Sequence, residues 1–86
     1  MAVYSVLITR SAEKEIEHLP ARIRRLVVRR ILALADDPRP HGSQKLAGED
    51  KFRIRQGDYR VLYEIQDDAL IVYVVKIAHR RDVYRR

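Results

Sequence analysis

The sequence predicts a single small α+β domain in strand-helix-helix-strand-strand-strand order. A helical hairpin packs on one face of an antiparallel sheet, and a short basic C-terminal tail follows. The apolar residues first recur at helical spacing and then, after residue 50, at strand spacing. Turn chemistry falls between the periodic segments, at Pro20, at 36–43, at Gly57-Asp58 and at Asp67-Asp68. The 86 residues, 47% hydrophobic and 35% charged with only 3 Gly and 3 Pro, suit one globular domain over residues 1–86 and exclude a multi-domain enzyme.

Val3 to Thr9 (VYSVLIT) is apolar and β-branched enough for a buried strand. Ser11 is placed to cap the following helix, with Glu13 near its positive end. Ala12, Ile16 and Leu19 share one face of that helix, Glu13, Lys14 and Glu17 face water, and Pro20 ends it. From Ala21 to Ala35 the positions Ile23, Leu26, Val27, Ile31 and Leu34 form an inward stripe opposite Arg22, Arg25 and Arg29. Arg24 and Arg30 do not fit that division. The turn-rich 36–43, with Pro38 and Pro40, makes an extended connector. Lys51 to Gln56 alternates strictly, Phe52 and Ile54 against Lys51, Arg53 and Arg55, as a half-buried strand does. Gly57-Asp58 turns the chain into a return strand, Tyr59 to Gln66. Ala69 to Ala78 is apolar on both faces and is expected at the centre of the sheet.

Composition narrows the function. The absence of Cys excludes a disulfide framework and thiolate metal chemistry and suits a reducing cytosol. The N-terminus lacks the pattern of a secretory leader, and no apolar run approaches the roughly 18–20 residues of a membrane span, so a cytoplasmic protein with no membrane partner is expected. Eighteen basic residues against 12 acidic ones give a net charge of +6, and 14 of the 18 are Arg. The guanidinium fork matches phosphate oxygens, which points to nucleic acid, while an acidic protein partner or a solvated basic surface also fits. No phosphate-binding glycine loop, HExxH or GxSxG occurs, and His18, His41 and His79 lack metal-ligand spacing, so no metal or cofactor is implied.

Lys51, Arg53 and Arg55 alternate onto one strand face, and Arg60 follows beyond the turn, so the four can share one face of the sheet. Packed like charges there imply either a phosphate-binding surface or a solvated edge. Arg60 either pairs with Glu64 along its strand or faces a basic site where its guanidinium stabilises charge on a phosphorane-like transition state. Tyr84, among Arg80, Arg81, Arg85 and Arg86, fits a general base, a stacking ring or a hydrophobic anchor for the tail. His79 is a second acid–base candidate or an ordinary surface residue.

The run GDYRVLYEI, an apolar strand and then HRRDVY, preceded by a basic strand, resembles the RelE/ParE toxin superfamily of type II toxin–antitoxin systems. SVLITRSAEKEIEHLP and the helix after it are similar to that family's opening, so the resemblance spans nearly the whole chain. In the RelE branch it implies a ribosome-dependent, metal-independent endoribonuclease, an mRNA interferase that cuts in the A site by attack of a ribose 2′-hydroxyl on the adjacent phosphate. Its implied catalytic residues are Arg60, Arg80, Tyr84, Lys51 and Arg53, with Arg55, Lys45, His79, Arg81 and Arg85 contacting RNA. Arg53 stands where the family has a lysine, and the stretch from Arg80 to Tyr84 is shorter than usual, which leaves His79 as the alternative base. The implied partners are a RelB-like antitoxin, the ribosome and mRNA. The ParE-like branch instead implies a DNA gyrase inhibitor that binds without cutting RNA, and an inactive relative would share the same fold.

Overall fold

The computed structural model describes residues 3–83. The elements are β1 (Ser5–Ile8), α1 (Arg10–Glu17), α2 (Ala21–Ala33), β2 (Gln44–Lys45), β3 (Lys51–Gln56), β4 (Tyr59–Gln66), β5 (Ile71–His79) and α3 (Arg80–Val83). They make one five-stranded sheet in the order β1-β5-β4-β3-β2. The expected order of elements holds, with a short strand β2 added between α2 and β3, a helix α3 added after β5, and three further differences in the sheet. First, it is mixed, because β1 runs parallel to β5 while every other pair is antiparallel. A parallel neighbour requires a crossover, and the helical hairpin begins the crossover that separates β1 from β5. Second, β4 rather than β5 is central; β5 is apolar throughout because it is flanked on both sides, by β1 and β4. Third, β1 is an edge strand with Leu7 and Ile8 exposed, not the buried strand its composition suggested, since among the described residues no strand pairs with its outer side.

Helix α1 starts two residues earlier than a Ser11 cap would place it. Thr9 is its N-cap, in extended conformation, and its hydroxyl accepts from the Ala12 amide at 3.3 Å. Helix α2 ends at Ala33, short of Ala35. The inward faces of both helices form the core as expected, except that Leu26 is only half-buried and stands outside it: Ala12, Ile16, Leu19, Val27, Ile31 and Leu34 pack on Ile54, Val61, Tyr63, Val72, Val74 and Ile77. Burial of each large aliphatic side chain among them contributes about 1.5–3 kcal/mol. Gly57, at φ 60°, supplies the positive φ that the first central position of the β3–β4 hairpin turn requires.

The prolines of the connector do more than stop a helix. Pro38 offers its carbonyl to the buried Tyr63 hydroxyl at 2.7 Å, and burial pushes that phenol up to about 12. Arg39 donates to both carboxylate oxygens of Asp67, at 3.3 and 2.9 Å, and its guanidinium lies 5.3 Å from the Phe52 ring centroid. Tyr4 donates to the same carboxylate at 2.6 Å. One carboxylate thus ties the start of the chain, the connector and the β4–β5 turn.

A bulge lies where β5 passes Leu62 and Tyr63: Leu62 pairs with Lys76 but Tyr63 with Val74, leaving Val75 extra. Because β1 ends opposite Val74, the rest of β5 has no strand on that side among the described residues. Helix α1 supplies the partners instead. The Thr9 amide donates to the Val74 carbonyl at 3.0 Å, and the Ile77 amide donates to Glu15 Oε1 at 2.8 Å. Lys76 Nζ holds the other Glu15 oxygen at 2.9 Å.

Candidate functional site

The two sheet faces are chemically opposite, and strand register decides which residue goes where. Phe52, Ile54, Val61 and Tyr63 turn towards the helices, so their neighbours along the strands turn to the face away from the helices. Across β3 and β4, Lys51 stands opposite Glu64, Arg53 opposite Leu62, and Arg55 opposite Arg60. The four cations read from alternation therefore do share one face. Arg53 and Arg60 are buried there, at 8% and 7% exposure, so their guanidinium groups are held rather than waving in solvent. Gln44, opposite Arg53 on β2, accepts from the Arg53 guanidinium through its side-chain oxygen. Lys51 lies 3.6 Å from Glu49 and 3.6 Å from Glu64, so Glu64 meets Lys51 across the ladder.

Arg80 begins α3 at the end of β5. Its amide donates to the Asp58 carbonyl at 2.7 Å and its Nε lies 3.9 Å from the Asp58 carboxylate, beside the β3–β4 turn that Arg55 and Arg60 flank. Three other expected residues do not join the cluster. Lys45 pairs across from Phe52, whose side chain turns the other way. His79 pairs with Tyr59, and the two rings meet edge to face with centroids 5.3 Å apart. It lines a groove of about 580 Å³ on the helix side with Lys14, Glu15 and His18. Arg81 is exposed on α3, and its amide donates to His79 Nδ1 at 3.3 Å. Tyr84 and Arg85 lie outside the described residues.

Two residues of this face escaped the sequence. Gln44 lies just beyond the turn-rich 36–43, in a stretch where the sequence pattern announces no strand. Tyr73 pairs with Glu64 and so belongs to the face away from the helices, with Leu7 opposite it on β1. Alternation puts Tyr73 and His79 on one face; the bulge at Val75 separates them, and no residue type announces a bulge. Chemically, the face offers fixed cations in a row, the arrangement that binds phosphate and offsets negative charge developing on it.

The family model described as "ParE toxin of type II toxin-antitoxin system, parDE" matches residues 6–84. The chain belongs to this toxin family. The toxin is 37% identical over 87 aligned positions to Toxin RelG of Mycobacterium tuberculosis, covering 96% of this chain and 98% of RelG. Among solved structures it is similar to the toxin–antitoxin complex RelBE2 of M. tuberculosis, with TM-score 0.80 and 32% identity over 90% of this chain and 98% of that one. It is also similar to the archaeal RelE–RelB complex of Pyrococcus horikoshii, with TM-score 0.82 and 28% identity over 91% and 96%. The fold and family that the motifs implied are thereby shown, and the sheet face just described is that of a type II toxin.

Proposed function

We propose that this toxin is an mRNA endonuclease acting on the ribosome, and that the face carrying Lys51, Arg53, Arg55 and Arg60 holds the scissile phosphate. The reading rests on the burial of Arg53 and Arg60 on the sheet face away from the helices: two fixed guanidinium groups beside two further cations suit an anion. In the reaction a ribose 2′-oxygen attacks the adjacent phosphorus, a base takes its proton, and the 5′-oxygen leaves with a proton from an acid. The products are a 2′,3′-cyclic phosphate and a 5′-hydroxyl. Arg60 and Arg53 stabilise the charge that grows on the phosphoryl oxygens, with Lys51 and Arg80 flanking them. His79 is turned to the helix side, so the base role is given to Tyr84. Metal independence is part of the proposal, because fixed cations can supply the charge stabilisation.

A RelB-like antitoxin is the proposed partner, as the RelE–RelB and RelBE2 complexes of similar toxins support. The match to the ParE model favours one second reading, a gyrase inhibitor that binds without cutting. Incubation with ribosome-bound mRNA, and in parallel with gyrase in a supercoiling assay, separates the two. Ribosome-dependent cuts that persist in chelator fit the endonuclease; inhibited supercoiling with intact mRNA fits the ParE-like reading and removes the endonuclease.

A further inference from the structure

His79, an acid–base candidate in the sequence, takes no part in the cation row, and neither does His18. Both line the groove of about 580 Å³ where α1 borders the last part of β5. The inner wall of this groove is apolar. Leu19 of α1 and Ile77 of β5 are buried core residues, and Tyr59 stands beside them with its ring set edge to face against His79. The rim is basic. Lys14 and His18 are one helical turn apart and so lie on one side of α1. Lys14 is exposed and, among the described residues, enters no salt bridge.

The one carboxylate of the groove is already engaged. Lys76 Nζ holds one oxygen of Glu15 at 2.9 Å, and the Ile77 amide donates to the other at 2.8 Å. Two lysines against that carboxylate leave one positive charge in excess, with both imidazoles neutral. The Lys14 carbonyl, which would repel an anion at this end of α1, accepts from His18 Nδ1 at 2.7 Å. That bond fixes the imidazole and leaves its Nε2 to a ligand. At His79 the roles are reversed: Nδ1 accepts from the Arg81 amide at 3.3 Å, so Nε2 carries the proton and is a donor.

We infer that this groove binds a mononucleotide, its base against Leu19, Ile77 and Tyr59 and its phosphate between Lys14 and His18. Stacking on the aromatic ring holds the base, and charge-assisted hydrogen bonds from the ammonium hold the phosphate. One positive charge in excess complements a phosphate monoester and falls short of a triphosphate. A divalent metal is a poorer occupant, because the described residues contain no group of three or more His, Cys, Asp or Glu that could hold one. An aliphatic ligand would leave the ammonium and both imidazoles without a partner. The groove lies on the helix side of the sheet, so the inference is independent of what the cation row does.

The test uses the full chain and adenosine 5′-monophosphate, followed by amide chemical-shift perturbation. Shifts should cluster at Leu19, Ile77 and His79, with a Kd on the order of 100 µM. Adenosine alone and inorganic phosphate alone should each bind roughly tenfold more weakly, since each keeps only half of the contacts. Lys14→Ala should weaken nucleotide binding about tenfold with an unchanged melting temperature, because the side chain is exposed and unpaired. Shifts confined to Arg53, Arg55 and Arg60 would place the nucleotide on the other sheet face and overturn the inference. So would equal affinity of wild type and Lys14→Ala, or equal affinity for inorganic phosphate and nucleotide. Tighter binding in the groove of a single-stranded RNA oligonucleotide than of the mononucleotide would assign the groove to an RNA strand and overturn it as well.

Discussion

Arg55 and Arg60 stand directly opposite one another on adjacent strands, a placement that like charges disfavour. Replacing the exposed partner should relieve the repulsion. Arg55→Thr is therefore expected to raise unfolding stability by about 0.2–1 kcal/mol in urea titration while weakening RNA binding. A variant that gained affinity for RNA would remove Arg55 from the phosphate face. Tyr63 carries the opposite kind of obligation: its ring is core and its hydroxyl meets the Pro38 carbonyl. Tyr63→Phe should cost about 1–3 kcal/mol, since the carbonyl loses its buried donor. The folded state keeps this phenol protonated beyond the ordinary value of 10.0, so its contribution is complete below that pH. The contribution is lost as pH rises towards about 12. Thermal midpoints should accordingly fall above pH 10 in the wild type and fall less steeply in Tyr63→Phe.

At the level of elements, the helices and the β3–β4 hairpin were legible because each was written in a period. Ala12, Ile16 and Leu19 announced the buried side of α1, and KFRIRQ announced which residues of β3 turn outward. What the sequence hid was geometry set by neighbours. The pairing of β1 with β5 depends on a contact across most of the chain, and the bulge at Val75 reverses the facing of all that follows it. Strict alternation would put Tyr73 and His79 on one face, and the bulge puts them on opposite faces. Glu15 was equally hidden: in a helix it looks like a solvated carboxylate, yet it replaces a missing strand for the Ile77 amide. Glu15→Ala should destabilise by about 1 kcal/mol, discounted for its partial exposure. Hydrogen exchange at the Ile77 amide should accelerate as well; unchanged exchange there would mean that the carboxylate does not guard the edge.

For the whole molecule, charge is divided between two surfaces: a cation row on the sheet face away from the helices and an arginine-rich helix behind it. Composition could report the excess charge but not the division, because both surfaces draw on the same residue type. A small polar knot, Tyr4, Asp67 and Arg39, closes the chain start and connector onto the β4–β5 turn. Hydrogen bonds from Arg39 and Tyr4 hold the Asp67 carboxyl below its ordinary value of 3.8. A lowered folded value stabilises the fold above that ordinary value, and the contribution is lost as pH falls through the folded one. The melting temperature of the wild type should thus drop below pH 3.8 more steeply than that of Asp67→Asn. Parallel curves would exclude the knot as a source of acid sensitivity.

The central claim is that fixed guanidinium groups on the sheet face away from the helices perform phosphate chemistry. Single-turnover cleavage of ribosome-bound mRNA by wild type and Arg60→Ala, at matched circular dichroism, tests it most directly. The account predicts a loss of about 100-fold or more in the variant, since one preorganised donor to a developing oxyanion is worth that much. A folded Arg60→Ala protein that cuts as fast as wild type would contradict it.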